Sequence, residues 1–140
     1  MSTQKMSEDQ LFAHFAQQHT WQDRYRELIK LSKLLPPISI EDKTVHYQID
    51  GCENNVWLKV TRYDDGRFHF SADSDGRIVK GLLAILLILV EGKTADQIIT
   101  IPFNDIFHHL KIDAELSQSR LIGLNKLIEY LLQAVTQSNI

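Results

Sequence analysis

The amino-acid sequence predicts an α+β fold, with a small antiparallel three-stranded sheet packed with helices. Three observations carry this. Apolar residues recur at helical spacing before Pro36 and again after Ser117. Between residues 44 and 72 the pattern switches to alternation, interrupted by Asp64-Asp65-Gly66. Residues 78–90 are apolar nearly all round, the mark of a helix buried on most of its sides.

Each element follows in order. Residues 1–5 are polar and are expected to fray. Ser7-Glu8-Asp9-Gln10 has the form of a capping box and opens a short helix through Phe12 and Phe15. A second helix is expected over residues 20–35, carrying Trp21, Tyr25, Leu28, Ile29, Leu31 and Leu35, and Pro36-Pro37 stops it. Residues 44–49 alternate, with Val45, Tyr47 and Ile49 on one face, and are expected to form the first strand. Residues 56–63 and 67–72 supply the second and third, joined by the Asp64-Asp65-Gly66 hairpin turn. The buried helix spans 77–90, with Ser74 or Asp75 as its cap and Gly92 after its end. Short helices near 94–99 and 103–110 follow. Ser117 or Ser119 then opens a long helix through about Val135, with Leu121, Leu124, Ile128, Leu131 and Leu132 on one broad face.

The chain has 140 residues, 44% hydrophobic and 24% charged, which suits one domain over residues 1–140. Its formal charge of -3 does not favour nucleic acid, which calls for a basic patch. No basic segment followed by an apolar run opens the chain, so no secretory signal is expected. The apolar stretch at 81–90 falls short of the roughly 20 residues that span a bilayer. The cytoplasm is the expected compartment, and a free thiol persists there because that compartment is kept reduced.

The chain has one cysteine, Cys52, between the first two expected strands. Alone it can form no internal disulfide and hold no metal cluster. Free cysteines are ordinarily small, half-buried hydrophobes. Here Gly51 precedes the thiol and its neighbours are polar, a context that suits a turn presenting a reactive group. Glu53 beside it raises the thiol pKa, so a nucleophilic Cys52 needs a positive group from elsewhere. Arg120, at the electropositive start of the last helix, is the candidate; as a pattern alone it also fits a solvated surface arginine. Asp73-Ser74-Asp75-Gly76-Arg77 reads either as a helix cap or as a polar rim near the thiol formed by Asp73 and Asp75. The histidines show no ligand spacing: His108 and His109 are adjacent, not four apart. No P-loop, GxGxxG or GxSxG occurs.

Several collinear motifs do resemble a known family. They are Gly51-Cys52-Glu53-Asn54-Asn55-Val56-Trp57-Leu58, Asp73-Ser74-Asp75-Gly76-Arg77-Ile78-Val79-Lys80-Gly81-Leu82-Leu83-Ala84, and Leu116-Ser117-Gln118-Ser119-Arg120 with Gly123-Leu124. Upstream, Trp21-Gln22-Asp23-Arg24-Tyr25-Arg26-Glu27-Leu28-Ile29 and Leu34-Leu35-Pro36 fit as well. Together they resemble the SufE-like sulfur-acceptor proteins over nearly the whole chain. The Gly-Cys-Glu-Asn form and Glu91-Gly92-Lys93-Thr94 look more like the CsdE branch than SufE proper. One departure is Leu121-Ile122, where the family often has polar or small residues.

The resemblance implies a fold like that of the IscU-type cluster scaffolds, and a function. Cys52 would accept sulfur from the persulfide of a pyridoxal-phosphate cysteine desulfurase of the CsdA or SufS kind. It would then pass that sulfur to iron–sulfur cluster assembly or another sulfur-using pathway. Gly51, Glu53, Asp75 and Arg120 would support it; apart from the resemblance, Asp75 and Arg120 are expected to pair around the cysteine loop. No cofactor or metal is expected on this chain, since pyridoxal phosphate belongs to the partner. A downstream acceptor protein is a second partner, the state is monomer or homodimer, and neither nucleic acid nor membrane is expected as a partner. The Cys52 loop is expected to rest against apolar residues and swing out on docking. Two other readings stay open: a non-catalytic adaptor for a desulfurase, and a stand-alone cysteine hydrolase with a histidine near Cys52.

Overall fold

The structure, a computed structural model, describes residues 6–49 and 54–137. It is α+β. Among the described residues it contains six α-helices and one two-stranded antiparallel sheet. Helices α1 (Glu8–Ala16) and α2 (Trp21–Ser32) come first. Strands β1 (Val56–Arg62) and β2 (Phe68–Ser74) follow, then α3 (Arg77–Val90), α4 (Ala95–Ile99), α5 (Phe103–His109) and α6 (Gln118–Gln137).

The helix starts are written locally. Ser7 and Gln10 form the expected reciprocal capping box on α1, and Thr94 and Gln97 form a second on α4. Thr20 caps α2 by accepting the Asp23 N–H, and Ser117 accepts the Arg120 N–H at the start of α6. The expected Ser74 or Asp75 cap on α3 is not made: the N-cap is Gly76, with no side-chain capping bond. Ser74 and Asp75 are engaged elsewhere, as described below. Helix α2 ends at Ser32, three residues short of the expected Leu35, and residues 33–35 form a turn before the two prolines.

The sheet has two strands where three were expected. Residues 44–49 do alternate, but Val45–Tyr47 forms a 3-10 turn and Val45 is 84% exposed. The Tyr47 and Gln48 N–H groups donate to Thr44 O and Val45 O within the turn, so these donors are satisfied locally rather than by a ladder. The segment meets the start of β1 through an isolated bridge from Gln48 to Trp57 and through the Ile49 N–H, which donates to Val56 O. The rings of His46 and Tyr47 meet at 4.6 Å, and the Lys59 ammonium lies 5.7 Å from the Tyr47 ring centre. These contacts favour the turn over an extended strand.

Strands β1 and β2 pair in register from Val56–Ser74 to Arg62–Phe68, around a turn with Gly66 at φ 85°. The outer N–H groups of β2 find other acceptors. Phe68 donates to Lys93 O, Phe70 to a Glu91 carboxylate oxygen, and Ala72 to Pro36 O. This covers the edge that would otherwise be open to pairing with another chain. The inward face of β2, Phe68, Phe70 and Ala72, packs on α3, whose Leu82, Leu83, Ile85, Leu86, Leu89 and Val90 are buried. Gly81 lets α2 come close: a Cβ there would stand 2.5 Å from the Leu28 carbonyl oxygen. Helix α3 is thus the central rod, and its N-terminus sits at the end of the sheet where β1 begins and β2 finishes.

Candidate functional site

Cys52, Gly51 and Glu53 lie in residues 50–53, outside the described residues, as does the expected resting position of the cysteine loop. The two ends of that segment are described. Before it, Ile49 is buried and donates its N–H to Val56 O at 2.9 Å. After it, Asn55 leads into the buried Val56. The ends are therefore joined by backbone pairing, Ile49 to Val56 and Gln48 to Trp57.

Asp75, the residue after β2, fastens the second end. One of its carboxylate oxygens accepts the Asn55 N–H at 3.2 Å, and the other accepts the Asn55 side-chain amide at 2.9 Å. Its own N–H donates to Asn55 O at 3.3 Å. Asn55 Oδ1 in turn accepts from the Gln48 amide at 3.0 Å, which closes a chain from the first end through the second to β2. Asn54 lies over Gly76, where a Cβ would come within 2.6 Å of its side-chain oxygen. The buried Ser74 hydroxyl accepts the Gly76 N–H and fixes that turn. Asp75 thus clamps Asn55 at the second end of the segment.

Asp73 sits beside this clamp with two lysines, Lys43 in direct contact and Lys80 at 3.4 Å. Partial burial acts to raise the Asp73 pKa, but the Lys43 ammonium, the Ser74 N–H and Lys80 outweigh it and hold the carboxyl below its ordinary range. Lys43 also lies 5.6 Å from the Trp57 ring centre, a cation–π contact.

Arg120 stands on the first turn of α6 and borders a cavity of about 20 Å³ with Val79 and Leu82 of α3 and with Ser119, Gly123 and Leu124. Its Nε is buried and has no hydrogen-bond partner among the described residues. Helix α6 therefore places a guanidinium against the first turns of α3, the helix whose Gly76 cap touches Asn54. The described residues contain no ion pair between Arg120 and Asp75; both Asp75 oxygens are occupied by Asn55. Sequence reasoning did not single out Asn55, Gln48, Lys43 or Lys80. The Asn54-Asn55 pair just before a strand was a usable signal for a clamped turn. The lysines gave none, because their partner Asp73 meets them only in the fold.

The two ends of the segment that carries the chain's one cysteine are thus held together by backbone pairing and by Asp75. The family model described as SufE: Fe-S metabolism associated domain matches residues 9–135. The sulfur acceptor protein CsdE of Escherichia coli (strain K12) is 47% identical over 123 residues, spanning 88% of this chain and 84% of that protein. An uncharacterized SufE-like protein of Haemophilus influenzae is 40% identical over 111 residues, covering 79% of this chain and 88% of that one. The solution structure of a hypothetical protein from Thermus thermophilus shares the fold, with a TM-score of 0.72 over 92% of this chain and 93% of that chain at 16% identity. The chain belongs to the SufE family. No helix among the described residues is long and apolar enough to cross a membrane.

Proposed function

We infer that this protein is a cytoplasmic sulfur acceptor and carrier acting through Cys52. The observation that carries the reading is the clamped platform around the cysteine segment, in a chain 47% identical to a protein named as a sulfur acceptor. The donor is the persulfide on a pyridoxal-phosphate cysteine desulfurase. The Cys52 thiolate attacks the outer sulfur of that persulfide, and a new S–S bond forms at Cys52. The S–S bond of the donor breaks, and the desulfurase cysteine leaves as its thiolate. The sulfane sulfur moves with its proton, no net oxidation occurs, and no cofactor on this chain is required. Removing the persulfide frees the desulfurase for another cycle, so the acceptor stimulates it. The loaded Cys52 then gives its sulfur to a downstream acceptor that serves iron–sulfur cluster assembly or another sulfur-using pathway.

Arg120 is assigned to favour the thiolate, because its buried Nε lacks a partner among the described residues and α6 holds it against the start of α3. Alanine release by a CsdA- or SufS-like desulfurase, measured with a reductant in excess, tests the reading. Wild type accelerates turnover and Cys52→Ser does not. Equal acceleration by both proteins would instead establish an adaptor. Ester hydrolysis by the chain alone, abolished by Cys52→Ser, would establish a cysteine hydrolase.

A further inference from the structure

A partly open cavity of about 300 Å³ lies between the end of α1, the α1–α2 turn, α2 and the end of α5. It shares no residue with the cysteine platform. Phe12, Phe15, His19, Arg24, His109 and Lys111 all border it, and every titratable side chain in its lining is basic. That is unusual in a chain whose formal charge is -3. Arg24 donates from Nη1 to Gln18 O at 3.3 Å, while its Nε is buried with no hydrogen-bond partner among the described residues. An acceptor that meets this nitrogen removes the cost of burying it unpaired. The nearby carboxylate on α2, Glu27, does not border the cavity and lies 3.5 Å from His14.

Lys111 supplies a second, independent observation. Helix α5 ends in a Schellman motif: the Ile112 N–H donates to Phe107 O and the Lys111 N–H to His108 O. The residue between, Lys111, has φ 61°. Glycine fits that position without strain, and lysine does not. The Schellman motif sets this left-handed backbone, and the turn brings Lys111 to the border of the cavity with Arg24.

We propose that this cavity binds a small phosphate-class oxyanion, free or carried on a small molecule. Arg24 and Lys111 are the charged donors, His19 and His109 add ring N–H groups, and Phe12 and Phe15 form the apolar wall. His109 is held edge-on against Phe12, with ring centres 5.5 Å apart. The test is a titration of the full chain with inorganic phosphate, followed by amide chemical shifts. Saturable shifts confined to residues 12–24 and 107–112 are expected. Lys111→Gly should weaken phosphate binding about tenfold, the size of one charge-assisted contact, while its melting temperature stays level or rises. A purely structural role for Lys111 would not weaken binding, and unchanged affinity in Lys111→Gly overturns the proposal. So do non-saturable shifts, or shifts centred elsewhere. A phosphomonoester binding more tightly than inorganic phosphate assigns an organic ligand, and equal affinity assigns the free ion; both uphold the site.

Discussion

Two glycines inside helices should respond in opposite directions to the same substitution. In Gly81→Ala the new Cβ would meet the Leu28 carbonyl oxygen at 2.5 Å and the Leu28 carbonyl carbon and Cβ at 3.0 Å. The first contact is roughly an ångström short of an ordinary one, and the obstacle is backbone, which cannot rotate away. Alanine gains about 1 kcal/mol over glycine in a helix interior. Overpacking a tight core costs ~1–3 kcal/mol, and a backbone obstacle belongs at the upper end. The variant should therefore lose about 1–2 kcal/mol, or roughly 3–8 °C in melting temperature. In Gly123→Ala the new Cβ meets nothing within 4 Å. That variant keeps the propensity gain and should melt roughly 2–4 °C higher. Thermal unfolding of the three proteins, followed by circular dichroism at one concentration, reads both effects. Gly81→Ala as stable as wild type would refute the close α2–α3 packing, and with it the placement of the α3 start that holds Asn54.

Other outcomes follow from the platform. Asp75→Ala removes two exposed hydrogen bonds to Asn55 and should cost only about 1 kcal/mol, yet slow sulfur acceptance by Cys52; an unchanged transfer rate would remove the clamp from the mechanism. Gly76→Ala displaces the Asn54 side chain rather than backbone, so it should leave stability within about 0.5 kcal/mol and reduce transfer, and adding Asn54→Gly should restore it. Asp73 has a folded pKa below its ordinary 3.8, so its ion pairs contribute stability above about pH 4 that is lost as pH falls through the folded value. Asp73→Asn should thus be less stable than wild type at pH 7, with the two denaturation midpoints converging in acid; a constant gap at all pH values would contradict that assignment. Arg120→Gln should lower the rate at which Cys52 is alkylated at pH 7 with little change in fold, and a rate equal to wild type would exclude Arg120 from holding the thiolate.

Local rules made most of the helices legible. The capping boxes at Ser7 and Thr94 are short-range chemistry, and the nearly all-apolar run of α3 admits only a buried rod. The hairpin was legible because Asp64-Asp65-Gly66 supplies the positive φ its turn needs. Residues 44–49 misled because Val45 alternates as a strand residue does, yet nothing covers it. The 3-10 bonds within the segment and the Lys59–Tyr47 contact decide its form, and alternation reports neither. The cap of α3 was misplaced for a related reason: Asp75, a good capping residue in isolation, commits both oxygens to Asn55 across the sheet end. Cys52 stood out from residue context, whereas the partners that frame its segment are distant in sequence and meet only after folding.

The most direct measurement is the intact mass of the protein after incubation with a cysteine desulfurase, pyridoxal phosphate and cysteine. A gain of one sulfur atom, reversed by reductant and absent in Cys52→Ser, is the expected result. An unchanged mass while the desulfurase turns over, or the same gain in Cys52→Ser, would contradict sulfur acceptance at this thiol.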